Sequence, residues 1–233
     1  MSFIIALDTD ARKSLQIVDL LSPERHMLKV GHRLYMERPT LVPVFIHMGF
    51  KVFLDLTYSG TPDMVAGACR AAMNLGVAMV SIHTGGGIRT LTTAVNAIAS
   101  APNPPLLIGT TVPTNMTEDD IQLFDIKKTI CELTLQLAHV AALAGLDGVI
   151  CSPLDVTMLR NNLTIRMPHV VCPAIRMPGD PSHDHAHCVL PSTAVVWGCN
   201  NIVVGRPITE ACDPLAALER YETNMRAAKE VRS

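Results

Sequence analysis

With 233 residues, 48% of them hydrophobic and 17% charged, the chain is long enough to bury a sizeable core, as one barrel or two small domains. A formal net charge of −2 gives no general attraction to nucleic acid or to an anionic membrane, so recognition of a phosphate must come from a local site. The apolar runs are about five to seven residues long, far below the roughly 18 to 20 of a membrane-spanning helix.

The chain opens directly on an apolar run without a basic leader, so no signal peptide is expected. Seven cysteines, odd in number and without a CxxC pair, argue against a disulfide framework or a zinc ribbon. They point to a reducing, cytosolic compartment in which thiols serve as small core residues. Strand-like runs then follow one another: Phe3 to Leu7, Met27 to Val30, Val52 to Leu56, Ala78 to Ile82, Leu106 to Thr111, Gly148 to Cys151, His169 to Cys172 and Asn201 to Val204. Between them lie stretches with helical spacing, such as Ala66, Cys69, Met73 and Leu75, or Ile130, Leu133, Leu137, Val140 and Leu143. The second stripe reads as core or dimer packing. The Pro-rich patch at 101–105 reads as a helix-to-strand connection. Strands apolar at consecutive positions and alternating with helices imply a parallel sheet covered on its outer side. Eight such units predict an α/β fold, a (β/α)8 TIM barrel forming a single domain over residues 1–233.

Polar residues close the apolar runs: Asp8, Lys29, Asp55, His83, Thr111, Ser152, Arg176 and Arg206. In a barrel these positions converge on the face where active sites are built. The run from Lys51 to Leu56 delivers Asp55 at its C-terminal end, and Ser59, Gly60 and Pro62 turn the chain into a helix beginning near Asp63. Near the other end, an apolar strand runs into Gly205-Arg206-Pro207 and a helix start. There glycine lets a phosphate approach the backbone, the helix start offers N–H groups, and arginine supplies a bidentate donor. A surface ion pair is the plainer alternative for Arg206.

Three further groupings suggest chemistry but read more simply. His83 before Gly85-Gly86-Gly87 fits a barrel-mouth histidine satisfied by a glycine turn. Cys151 beside Ser152 has no readable Cys-His-Asn arrangement and fits a buried strand thiol. The run His183-Asp184-His185-Ala186-His187-Cys188 holds metal-ligand types, yet its spacing of two on a flexible loop does not build a closed site, so no metal is expected.

The chain resembles the orotidine 5′-phosphate decarboxylase family over nearly its whole length. The blocks occur in family order: Ala6-Leu7-Asp8, Lys29-Val30-Gly31, Phe53-Leu54-Asp55-Leu56, His83 with Gly85-Gly86, Gly145 to Val149 with Cys151-Ser152-Pro153, Pro173 with Ile175-Arg176, and Val204 to Thr209. The resemblance implies that Asp8 contacts a ribose, that Lys29 contacts the ribose within a charge network, and that Asp55 faces the substrate's leaving carboxylate. It also implies that Ser152 touches a pyrimidine and that Gly205 and Arg206 hold a 5′-phosphate. The departures concentrate in the opening segment, where the family pattern is Asp-x-Lys-x-x-Asp-Ile-Pro. Here Thr57 stands for the lysine that protonates the carbanion, Gly60 for the aspartate that reaches the partner subunit's site, and Thr61 for isoleucine. Threonine supplies neither the ammonium charge nor its proton, so ordinary decarboxylation should be severely slowed or absent. Further along, Ala174 replaces the glycine of Pro-Gly-Ile-Arg, and His185 replaces a phosphate-binding glutamine. A histidine there is expected to make phosphate binding pH-dependent.

The expectation is therefore a homodimeric, cytosolic barrel without a cofactor, a divergent decarboxylase-like lyase for a phosphorylated nucleotide or sugar. Asp8, Ser152, His185, Gly205 and Arg206 would bind; Lys29 and Asp55 would act on the reacting end, Lys29 as the remaining proton donor. Two alternatives stand beside it: a non-catalytic phosphate-ligand-binding protein, and an enzyme that cleaves another bond, such as an N-glycosidic one.

Overall fold

Residues 2–162, 164–185 and 187–230 are described by a computed structural model. Its eight parallel strands are β1 (Ser2–Ala6), β2 (His26–Gly31), β3 (Lys51–Tyr58), β4 (Met79–His83), β5 (Leu106–Thr110), β6 (Gly148–Ile150), β7 (His169–Cys172) and β8 (Asn201–Val204). They pair in chain order and β8 returns to β1, which closes the barrel. The helices are α1 (Ala11–Val18), α2 (His32–Glu37), α3 (Leu41–His47), α4 (Pro62–Asn74), α5 (Gly87–Ile98), α6 (Glu118–Gln122), α7 (Ile130–Ala144), α8 (Val156–Asn161), α9 (Pro191–Trp197), α10 (Arg206–Thr209) and α11 (Pro214–Glu230). Every strand lies where the sequence placed it, with ends moved by one or two residues.

Each strand is buried on both faces, which is why its sequence is apolar at consecutive positions. One set of side chains, Ile5, Leu28, Leu54, Val80, Leu107, Val149, Val170 and Ile202, belongs to the large core shared with the helices. The alternate set, Ile4, Ala6, Met27, Phe53, Met79, Ile108, Val171 and Val203, forms a separate cluster that plugs the barrel interior. Side chains alternate with a period of two, so the next inward positions up the strands are Asp8, Lys29, Asp55, Ser81, Thr110, Pro173 and Gly205. An apolar plug capped by this ring fixes the polar end of the barrel.

Local sequence sets the helix starts. Asp10 caps α1 by accepting the Lys13 N–H at 2.8 Å, and Thr129 with Glu132 forms a capping box at α7. Pro62 occupies the first turn of α4, where no backbone donor is lost. Of the stripe expected on α7, Val140 packs against the core and Leu143 is 64% exposed, while the helix's buried residues are Thr134, Ala138, Ala141 and Ala144. Small side chains let this helix lie close to the sheet, and the larger ones are pushed to its flanks.

The third strand runs two residues beyond its sequence-predicted end. Its register with β4 shifts between Leu54 and Tyr58, and Thr57 has φ 42°. That is the left-handed region, which a β-branched residue rarely enters.

Candidate active site

One wall of the barrel mouth is built on β1, β2 and β3. Lys29 Nζ lies 3.1 Å from an Asp8 oxygen and 3.1 Å from an Asp55 oxygen, so a single ammonium bridges two carboxylates. Burial works against that charge, but the attraction of Asp55 and Asp8 outweighs it, and the Lys29 pKa is raised. Gly31, which pairs with Asp55 across the sheet, leaves the room this requires: a Cβ there would sit 2.4 Å from Asp8 Oδ1.

The other wall is built on β7 and β8. Arg206 Nη1 pairs with Asp184 at 2.9 Å. A Cβ on Gly205 would come within 3.2 Å of Ala6 Cβ, so glycine is what allows β8 and β1 to close here. The expected contribution of free helix amides is reduced. Pro207 has no N–H, and those of Ile208 and Thr209 already donate to Gly205 O at 2.8 and 3.0 Å. Arg176 is 6% exposed and donates to the carbonyls of Pro181 and Ile175, both at 2.8 Å. Among the described residues no carboxylate forms a salt bridge with it. The loop after β7 is held from α11, where the Tyr221 hydroxyl accepts the Met177 N–H at 3.1 Å and bonds Asp180.

His185 lines the same cavity, and its Nδ1 lies 2.9 Å from Thr114 Oγ1. Burial, with the Arg176 and Arg206 guanidinia beside it, pulls its pKa down to about 4. In the ligand-free site the ring is neutral at physiological pH, not the protonated donor that the sequence invites.

These groups enclose a cavity of ≈ 410 Å³ lined by Asp8, Lys29, Asp55, Arg176, Asp184, His185, Gly205 and Arg206 over a floor that includes Phe53 and Val203. Asp55 and Arg176 come from diametrically opposite strands. Six of the seven residues expected to bind or react are thus brought together. Ser152 is the exception: its hydroxyl accepts the Leu154 N–H at 3.3 Å and lines a neighbouring cavity of ≈ 400 Å³. The Thr114–His185 bond joins the linings of the two spaces. Thr111 also fails to reach the mouth, being buried with its hydroxyl donating to Ile150 O at 2.7 Å. His83 Nδ1 accepts the Gly85 N–H at 3.0 Å, and Cys151 is buried, so both follow their plainer readings. Among the described residues no group of three or more His, Cys, Asp or Glu side chains is arranged to hold a metal ion.

The sequence reading gave no role to Gly31, Thr114 or Arg176 beyond its place in a block or at a strand end. Only Arg176 carried a usable signal, an arginine closing an apolar run. A larger groove, ≈ 710 Å³, opens at the opposite end of the barrel between the loop after α1 and α11. There His26 and Arg25 both pair with Glu222.

The profile of the Orotidine 5'-phosphate decarboxylase / HUMPS family matches residues 1–221. The chain belongs to that family. It is 39% identical over 227 residues to an orotidine 5'-phosphate decarboxylase of Laribacter hongkongensis, covering 96% of this chain and 93% of that one. It is 36% identical to one of Coxiella burnetii, covering 96% of each. Among solved structures, the orotidine 5'-phosphate decarboxylase of Lactobacillus acidophilus superposes with a TM-score of 0.83 at 31% identity, covering 96% and 98% of the two chains.

Within this family frame the departures acquire geometry. Thr57, at the position of the expected lysine, donates its backbone N–H to Ser81 Oγ at 2.7 Å, and its hydroxyl lies 3.4 Å from Thr110 Oγ1. Gly60 has φ 146°. Ala174 sits at φ 62° and is 1% exposed, a left-handed position for which glycine carries no steric penalty.

Proposed function

We propose that this barrel binds a phosphorylated nucleotide or sugar at its C-terminal mouth and that ordinary orotidylate decarboxylation is impaired. Arg206 and Gly205 hold the phosphate, with the Arg176 charge and neutral His185 beside it; Asp8, Lys29 and Asp55 meet the far end of the ligand. The observation that carries this reading is the cavity itself, which places two guanidinia across from a carboxylate–ammonium–carboxylate bridge. For a phosphate to bind, it must take Arg206 from Asp184, and a dianion offers a stronger bidentate partner than one exposed carboxylate.

Lys29 is the one ammonium at the reacting end. Its raised pKa keeps it charged, and a carbanion is far more basic than any amine, so the proton can still move if a carbanion forms. Its first role is electrostatic, since its ammonium sits between the Asp8 and Asp55 carboxylates. Without a second ammonium at position 57 the lyase reaction lacks its main source of charge stabilisation. That deficit favours cleavage of another bond, with Asp55 assisting, or binding without turnover. Ser152 reaches a base only if the ligand extends past the Thr114–His185 contact into the neighbouring cavity.

A homodimer fits exposed Met36 and Met64, 80% and 65% accessible, at the mouth end of the barrel. Free thiols at all seven cysteines fit the cytosolic placement expected from the sequence.

Calorimetric titration with orotidylate, uridylate and ribose 5-phosphate, followed by turnover assays on whichever binds, tests the proposal. At least one should bind, and Arg206→Ala should abolish that binding. No binding by any of the three, with Arg206→Ala indistinguishable from the parent, overturns the phosphate site. Decarboxylation of orotidylate at a rate typical of the family overturns the impairment. Tight binding with no turnover supports the non-catalytic alternative.

A further inference from the structure

The buried cation of the phosphate wall takes its place from a turn that is braced from the last helix. Arg176 Nε donates to Pro181 O and Arg176 Nη1 to Ile175 O, both at 2.8 Å, so the guanidinium is set by residues 175–181. Asp180 closes that turn: its N–H donates to Met177 O at 3.1 Å, and its Oδ2 accepts the Met177 N–H at 3.0 Å. Tyr221 of α11 joins both residues, since its hydroxyl accepts the same N–H at 3.1 Å and donates to Asp180 Oδ2. The tyrosine is fully buried, with its ring stacked beside Phe3 of β1 at 6.3 Å between centroids. Packing on this scale fixes where the hydroxyl points.

Asp180 is also a charge that has to be kept in place. Residues 173–190 contain two acids, Asp180 and Asp184. Asp184 is exposed and pairs with Arg206, whereas the Asp180 side chain is 12% exposed and is taken up by Tyr221, by Arg220 of α11 and by the Met177 N–H. Burial opposes the Asp180 charge, but the bonds from Tyr221, Arg220 and Met177 outweigh it and hold the carboxyl below its usual range. Burial, with Asp180 beside it, raises the Tyr221 hydroxyl, which keeps the proton it donates. Arg176 stands four residues before Asp180 and donates to carbonyls alone among the described residues. An Asp180 released from Tyr221 would be a carboxylate partner for that guanidinium, in direct competition with an incoming phosphate.

We propose that Tyr221 is a positioning residue for the phosphate site: from α11 it holds the Asp180 carboxylate away from Arg176 and so keeps that guanidinium available to an anion. This rests on the phosphate reading of the cavity and adds a determinant from outside it, since Tyr221 is not part of the cavity lining.

Calorimetry with ribose 5-phosphate on the intact protein tests the assignment. Tyr221→Phe should weaken binding about fivefold, an effect of the size of one hydrogen bond. Adding Asp180→Asn to it removes the competing charge and should restore affinity to within about twofold of the parent. Because Tyr221 acts through Arg176, the loss should also shrink below about twofold when Tyr221→Phe is made in an Arg176→Gln background, whereas independent sites give the same loss in both. Parent-like binding by folded Tyr221→Phe, no rescue by Asp180→Asn, or equal losses in the two backgrounds overturns the proposal while Arg206→Ala still abolishes binding and the phosphate reading stands. If Tyr221→Phe does not fold, Arg220→Gln, at the exposed partner of Asp180, reads the same cycle against Arg176→Gln, and equal losses again overturn it. Failure of ribose 5-phosphate to bind the parent removes the phosphate reading and this proposal with it.

Discussion

The two walls of the mouth differ in how each treats its charge. On β1 to β3, Lys29 is locked between Asp8 and Asp55 in an internally balanced bridge whose ammonium is already committed. After β7 and β8, Arg206 has one salt-bridge partner among the described residues, Asp184, which is 76% exposed, and among them Arg176 donates to backbone carbonyls. The first wall is preorganised and closed to a new anion, whereas the second can exchange its partner for a ligand. Under the proposed function, the β7–β8 wall would anchor the ligand and the β1–β3 wall would meet its reacting end, with Thr57 carrying no charge.

The largest effect should come from the exchangeable wall. Arg206→Ala is expected to weaken binding of ribose 5-phosphate about hundredfold or more, because a bidentate charge-assisted contact is lost; loss of only twofold in a calorimetric titration would break the contrast between the walls. Next is the closed wall. Lys29→Met leaves two carboxylates facing each other, at a cost of about 2 kcal/mol in stability by chemical denaturation at neutral pH, below the full penalty for a buried pair because Asp8 is half exposed. In the parent, a raised lysine pKa means this contribution is complete below the unfolded value of 10.5 and declines only as pH rises above it. A Lys29 contribution already lost at pH 8 would contradict the bridge.

A smaller effect of the opposite sign is expected at Ala174. Its φ of 62° is strained for any residue with a Cβ, so Ala174→Gly should raise the melting temperature, by up to about 1 kcal/mol of stability once the added entropy of the unfolded chain is subtracted. The smallest effect concerns His185. Its ring takes a proton at about pH 4 in the folded chain against 6.5 unfolded, so between those values the unfolded state binds the extra proton and stability falls as pH falls. His185→Gln should flatten that slope in melts from pH 6.5 to 4, and an unchanged slope would mean that neither burial nor the Arg176 and Arg206 guanidinia hold the ring neutral.

Much of this was legible in the residues. Short apolar runs at consecutive positions, set between helical stretches, read as strands buried on both faces, and eight of them in regular succession pointed to a closed parallel barrel. Lys29, Asp55 and Arg206 could be found because they interrupt or end such runs. The α7 stripe marks a limit of such reading: spacing reports which residues share a face, not how closely that face approaches its neighbour, and here Thr134, Ala138, Ala141 and Ala144 lie deepest. Ser152 stands in the neighbouring cavity because a turn of Pro153–Asp155 follows it at once and draws its hydroxyl to Leu154 N.

Position 57 shows where the boundary falls. The sequence alone determined that position 57 carries no ammonium, since no arrangement of threonine can supply one. Only the tertiary structure decided what stands there instead, because Ser81 and Thr110 lie 24 and 53 residues away along the chain. The same holds for Gly31, whose missing side chain matters only because Asp8 crosses over it, and for His185, whose proton affinity is lowered by burial first and then by the Arg176 and Arg206 guanidinia beside it. Residue type fixes which charges a chain can carry, but the closure of the barrel fixes which of them meet, and so how strongly each holds its proton.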